Sequence, residues 1–427
     1  MLWIVIFIFM LVMLSFKYAN TKLVGKGAHP IGFVFIIQIF VFSLPGVLLI
    51  SFFDFSSYRY RGIDYFVLER IGFWYLYSIA IIFLVNIALV YISPPRNYQK
   101  AVLLDYDEVK AKQKCNILLL LSAVTVFYYL FVLPESPLLL ALKGKVAEAY
   151  LLRVEYQNNF GKYNPKYITP VINFLMTFQF FYIFYCFLKH KVVGKKTLVI
   201  SFVFSAIFLS LNIIKSKVLF LILIAAFMYL AFTGRYKNFL YLILFFTIVL
   251  VLSYVLTMES DIDGLFNIIY ERVFIAQNQG FYHMINSIEP SSKYQWEGMF
   301  FINRFGIYPE HADVDVLPYI YNNYTNIVNS NSYFLGQAWS MFGTVGLIIS
   351  PFCVGFFIYT VVKVIDKIIG YAPGFGVAYL FTFLPTLRIN QKFSDFLFGR
   401  EFIISLVCFA ILTCVVSILS RITYKDE

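Results

Sequence analysis

Apolar blocks recur from residue 1 to residue 420, most of them close to the roughly 20 residues a helix needs to cross a bilayer core. They cover 1–16, 31–53, 73–93, 117–133, 167–188, 197–214, 218–232, 238–257, 336–362, 373–387 and 401–420. Only 13% of the residues are charged, about half of what a soluble domain carries. The 50 Phe and 33 Tyr are too many for a water-soluble core of this size. The pattern excludes a soluble enzyme and a single-pass receptor. It predicts an all-α, polytopic transmembrane bundle of about 11 helices (10–12), a single integral membrane domain over 1–427. Block 1–16 lacks the basic start and small-residue cleavage site of a signal peptide, and is expected to be the first membrane helix.

Basic residues accumulate on the cytoplasmic side of membrane proteins, so their distribution orients the bundle. With the N-terminus outside and the C-terminus inside, the cytoplasmic segments hold 18 Lys/Arg in 67 positions. The outer segments hold the other 16 in 146 positions. The segment 189-KHKVVGKK-196 is the clearest inner anchor. The net charge of +11 is therefore read as an insertion signal, and no nucleic acid partner is expected. None of the five Cys lies in a long polar loop, which leaves no disulfide framework and no CxxC metal site.

This orientation places two long segments, 134–166 and 258–335, on the extracytoplasmic side. The second has nine acids and three bases, Arg272, Lys293 and Arg304. Apolar residues at spacings of three and four predict amphipathic helices over 138–156 and 264–285, lying in the interface or capping the bundle. Outer aromatics such as Tyr282, Trp296, Tyr308 and Tyr324 suit sugar stacking, but membrane interfaces collect aromatics anyway.

Enzyme signatures with a fixed spacing are missing: no GxGxxG opening a helix, no Walker loop, no HExxH and no GxSxG. His29, His190, His283 and His311 never pair at metal spacing. Asp313 and Asp315 form an isolated DxD pair in an outer acidic loop, read as solvated, so neither a metal nor another cofactor is expected. What remains is a set of cations at the outer ends of helices: Arg153, Lys215, Lys217, Arg272 and Arg388, with Arg304 in the large loop. Each alone could snorkel to headgroups. Together they suit a diphosphate, because Arg presents a planar fork that stays charged while Lys offers a point charge. Arg153, Arg272 and Arg388 are the expected catalytic cations. Glu155 is the first choice as general base, followed by Glu271 and His283.

Five segments then resemble the Wzy-type oligosaccharide repeat-unit polymerases, also called O-antigen polymerases. They are 147-AEAYLLRVEY-156, the turn 212-NIIKSKVLF-220, the opening 270-YERVF-274 of the long loop, 329-NSNSYFLGQAWSMFGTVGLI-348 and 387-LRINQKFSDFLF-398. The turn departs from the pattern, with Lys215-Ser216-Lys217 where such proteins commonly have a Ser-Arg sequence. The resemblance implies a GT-C membrane glycosyltransferase in a bacterial inner (plasma) membrane, making O-antigen, capsule or exopolysaccharide. Its substrates would be polyprenyl-diphosphate-linked oligosaccharides, joined with inversion and without metal or soluble cofactor. A flippase and a chain-length regulator would be its partners. The alternatives are an O-antigen ligase, a flippase or exporter, and a structural partner of an assembly complex. The 78 residues of 258–335 and the scarcity of mid-helix charges argue against a flippase.

Overall fold

The computed structural model describes residues 2–19, 25–30, 32–53, 55–93, 107–132, 136–145, 147–149, 151–152, 155, 168–189, 191–211, 215–255, 270–296, 312, 314 and 332–425. The described residues are mostly helical, with no strand among them. In chain order the α-helices are α1 (Leu2–Tyr18), α2 (Leu44–Phe52), α3 (Tyr65–Ile92), α4 (Glu108–Val132) and α5 (Pro137–Leu142). There follow α6 (Ile168–Lys189), α7 (Lys195–Ser210), α8 (Lys215–Thr233), α9 (Tyr236–Val255) and α10 (Gln279–Ser287). The last four are α11 (Phe334–Tyr371), α12 (Pro373–Phe383), α13 (Phe393–Phe398) and α14 (Arg400–Lys425). A π-helical stretch, Phe33–Ser43, runs directly into α2, and a second, Glu271–Ile275, precedes α10.

Among the described residues six helices are long and apolar enough to cross a membrane: Phe35–Phe52, Tyr65–Ile92, Glu108–Phe131, Pro170–Lys189, Phe334–Tyr371 and Arg400–Ile422. Leu120, Phe127 and Phe131 of α4 and Val407, Ile411 and Ile418 of α14 lie bare on the exterior. An apolar exterior of this extent suits lipid rather than water. This is a helical membrane protein.

Two cores sit side by side. One surrounds α6, which is mostly apolar all round, as a central helix must be. Phe178, Phe181, Ile183 and Cys186 of α6 are buried against α4, α7, α8, α12 and α14. The Phe375 ring of α12 meets Phe178 and Tyr182 edge-on. Gln179, fully buried on α6, is satisfied within the bundle. Its Nε2 donates to Ser201 O (2.9 Å) and Ser205 Oγ (2.7 Å), and its Oε1 accepts from Ser201 Oγ (2.9 Å). Such interhelical bonds stand in for the water that lipid cannot supply. The second core gathers α1, residues 33–52, α10 and α11 around α3.

Each predicted block with described residues contains a helix, but three details differ from the expected pattern. The 38-residue α11 is broken at Gly343, where φ +58° and ψ −141° leave helical space. The break folds Phe334–Phe342 back, and a side chain on Gly346 would run into the Ala338 carbonyl. It also frees the carbonyls of Ser340 and Met341, which accept instead from Ser291 N (2.9 Å) and Gln295 Nε2 (3.2 Å). In the 138–156 patch α5 ends at Leu142, just before Gly144 at φ +79°, and the described residues from 147 to 155 are helical again. In the 264–285 patch the described part passes from π to 3₁₀ to α geometry.

Candidate functional site

Hydrogen bonds sort the connections between helices into two ends. At one end Gly27 N donates to Ala231 O (2.7 Å), Gln113 Nε2 to Ser420 O (3.0 Å), and Lys363 Nζ to Ser93 Oγ (3.1 Å). At the other, segments 57–60, 271–283, 332–341 and 388–394 interlock.

The second end is built on Arg59, in the 3₁₀ turn Tyr58–Tyr60. Its side chain is only 8% exposed. Arg59 Nε pairs with Glu271 Oε2 at 3.2 Å, and Nη1 donates to Gln279 Oε1 at 3.1 Å. The Arg59 carbonyl accepts from Gln279 Nε2 (3.3 Å) and faces His283 Nε2 (3.0 Å). A bond to that carbonyl requires the proton of neutral His283 on Nε2. Ser57 Oγ donates to both oxygens of Glu271 (3.2 and 3.1 Å). Around this centre run further hydroxyl contacts, Ser51 to Tyr282 (2.6 Å), Tyr75 to Ser43 (2.6 Å) and Ser43 to Asn278 (3.0 Å).

A second polar line leaves the same region. Gln277 Nε2 donates to Arg272 O (2.9 Å), and Gln277 O accepts from Asn390 Nδ2 (3.1 Å). Two residues earlier, the exposed Arg388 is steadied by a bond from Nε to Pro385 O (2.9 Å). Its guanidinium lies 5.4 Å from the centre of the Phe220 ring. Lys217, one turn before Phe220 on α8, lies in the field of Arg388, as does Glu401 at the start of α14. Burial pushes the carboxyl of Asp395 up, and neighbouring Glu401 pushes the same way against Lys392 and Arg400.

Lys217 and Arg388 thus meet, the Arg272 backbone is tied to the same loop through Gln277 and Asn390, and Glu271 and His283 meet through Arg59. Arg272 itself is exposed. Lys215 opens α8. Glu155 is helical and exposed. Arg153, Arg304, His311, Asp313 and Asp315 lie outside the described residues. Among the described residues no three His, Cys, Asp or Glu side chains gather as metal ligands would. The sequence reading missed Arg59, Gln277 and Asn390. The only visible signal for Arg59 was a basic residue between two tyrosines in a short outer segment.

Burial lowers the pKa of His283, partly opposed by its bond to Arg59, and lowers that of His29, at the opposite end, to about 4. Both rings are therefore neutral in the fold at pH 7, whereas in the unfolded chain they take up protons below about pH 6.5. A depressed folded pKa makes its contribution fully above the unfolded value and loses it as the pH falls. Acidification from pH 7 to pH 5 should lower the thermal midpoint in detergent by several degrees. His29→Gln should flatten that dependence, and an unchanged slope would remove His29 as its source.

Protein-family profiles, curated proteins and solved structures give no match to this chain.

Proposed function

We propose that this protein is a Wzy-type membrane glycosyltransferase that polymerises polyprenyl-diphosphate-linked oligosaccharide repeat units. The reading takes about eleven helices in a GT-C-like arrangement, the N-terminus outside and the C-terminus in the cytoplasm of a bacterium. The observation that carries it is that Arg388 lies against Phe220 of α8 beside Lys217, with its loop tied through Asn390 and Gln277 to the Arg272 backbone. Separate snorkelling anchors would have no reason to converge.

In the reaction, a hydroxyl of the acceptor repeat unit attacks the anomeric carbon of the donor glycan. The bond from that carbon to the diphosphate oxygen breaks, configuration inverts, and the hydroxyl proton passes to a base. Arg388, Arg272 and Lys217 stabilise the departing diphosphate, a role in which fixed charge acts on the transition state more than on the ground state. Glu271 is engaged by Arg59 and Ser57, so it acts here as a positioning residue. Glu401 lies in the field of Arg388 and Asp395 in that of Glu401, and one of these carboxyls accepts the proton.

Deletion of the gene followed by glycan electrophoresis tests the reading. Loss of the polymer ladder with a single repeat unit retained is the expected result. Loss of surface glycan while polymer accumulates on lipid would replace polymerase with ligase.

A further inference from the structure

The loop between α12 and α14 carries Arg388, and three side-chain amides hold it in place. Gln38, in the π-helical stretch, accepts from Ile389 N at 3.2 Å, and Gln337, on α11, accepts from Ser394 N at 2.8 Å. Asn390 donates to Gln277 O at 3.1 Å. These backbone partners fix which end of each amide is oxygen and which is nitrogen. The opposite ends, Gln38 Nε2, Gln337 Nε2 and Asn390 Oδ1, are buried without a partner, and so is Ser394 Oγ. Gln337 and Ser394 are each 1% exposed.

Buried polar atoms are nearly always paired in native proteins, so four orphans on residues 389–394 or on the amides bonded to them need a reason. Their chemistry narrows the reason. Two amide donors, one carbonyl acceptor and one hydroxyl make a mixed, uncharged set. Sugar hydroxyls, each donor and acceptor at once, match it. A phosphate would find the Asn390 carbonyl repulsive, and an acyl or prenyl tail would leave all four atoms unpaired. The loop also begins at Arg388, so a ring bound here would adjoin a diphosphate held by that guanidinium.

We infer that Gln38, Gln337, Asn390 and Ser394 form a subsite for an uncharged sugar ring of the lipid-linked glycan, next to the Arg388 diphosphate site. The inference rests on the function proposed above and adds the position of the glycan to it.

The test compares two probes on the full-length protein in nanodiscs: undecaprenyl diphosphate, and the lipid-linked oligosaccharide extracted from a strain lacking this gene. Ser394→Ala removes only the orphan hydroxyl and leaves the Ser394 N–H bond to Gln337. Gln337→Glu keeps the accepting oxygen and replaces the orphan nitrogen. Each should weaken binding of the lipid-linked oligosaccharide about five- to tenfold, the worth of one hydrogen bond, with undecaprenyl diphosphate bound as before. Ser394→Ala should leave the thermal midpoint unchanged or raised. If Ser394→Ala binds both probes like the wild type, or melts several degrees lower, the subsite is overturned while diphosphate binding stands. If the wild-type protein binds neither probe, the proposed function fails and the subsite fails with it.

Discussion

Arg59→Ala should cost about 3–5 kcal/mol of stability, because it breaks a buried ion pair and leaves its carboxylate behind. Glu271, 17% exposed at its side chain, would keep only Ser57, and Gln279 Oε1 would lose its donor. The damage should spread through α10, whose Gln279 and His283 both close on the turn that Arg59 occupies. Arg59→Lys keeps the charge, but one ammonium cannot span Glu271 and Gln279 as the guanidinium does, so its loss should be intermediate. The double variant Arg59→Met, Glu271→Met removes both charges together and should recover much of what Arg59→Ala loses. Thermal unfolding of purified protein in detergent reads all four proteins. A loss below about 1 kcal/mol for Arg59→Ala would reduce the pair to an ordinary surface bridge.

Arg388→Ala should show the reverse pattern, with stability near wild type and activity down about 10²–10³-fold. The side chain is exposed, and its contacts in the fold are one bond to Pro385 O and the Phe220 ring, so folding depends on it little. A departing diphosphate depends on it much more. Arg388→Lys should retain part of the activity, since it keeps the charge and loses the fork. Lys217→Ala should fall less than Arg388→Ala. Glycan length in complemented deletion strains, normalised to protein in the membrane fraction, reads the series. Full-length polymer from Arg388→Ala at normal expression would make Arg388 an anchor.

The helices were legible in the sequence because a segment in lipid must be both apolar and long, and those two properties are written locally. The interruptions were not. The π-helical turns at 33–43 and 271–275 keep the apolar composition of their surroundings, and composition alone does not distinguish them from α geometry. The break at Gly343 rests on one glycine among several in α11. Which polar side chains meet was not legible either. Glu271 stands beside Arg272 in sequence, yet neighbours on a helix point apart, and its partner is Arg59, 212 residues away. Nothing in periodicity encodes such a contact. Gln38 offered a better clue, as one amide within FVFIIQIFVFS. A polar side chain in an apolar run needs a partner at that depth, and Gln38 finds the backbone of Ile389.

Reconstitution tests the central claim most directly. The purified protein in liposomes is supplied with lipid-linked repeat units in excess chelator, and the products are separated by size. The account predicts a ladder of longer lipid-linked glycans that the Arg388→Ala protein fails to make. Single repeat units alone from active, folded wild-type protein would contradict polymerisation. A ladder that forms only when Mg²⁺ or Mn²⁺ is restored would contradict the metal-free mechanism and bring Asp313 and Asp315 forward as ligands.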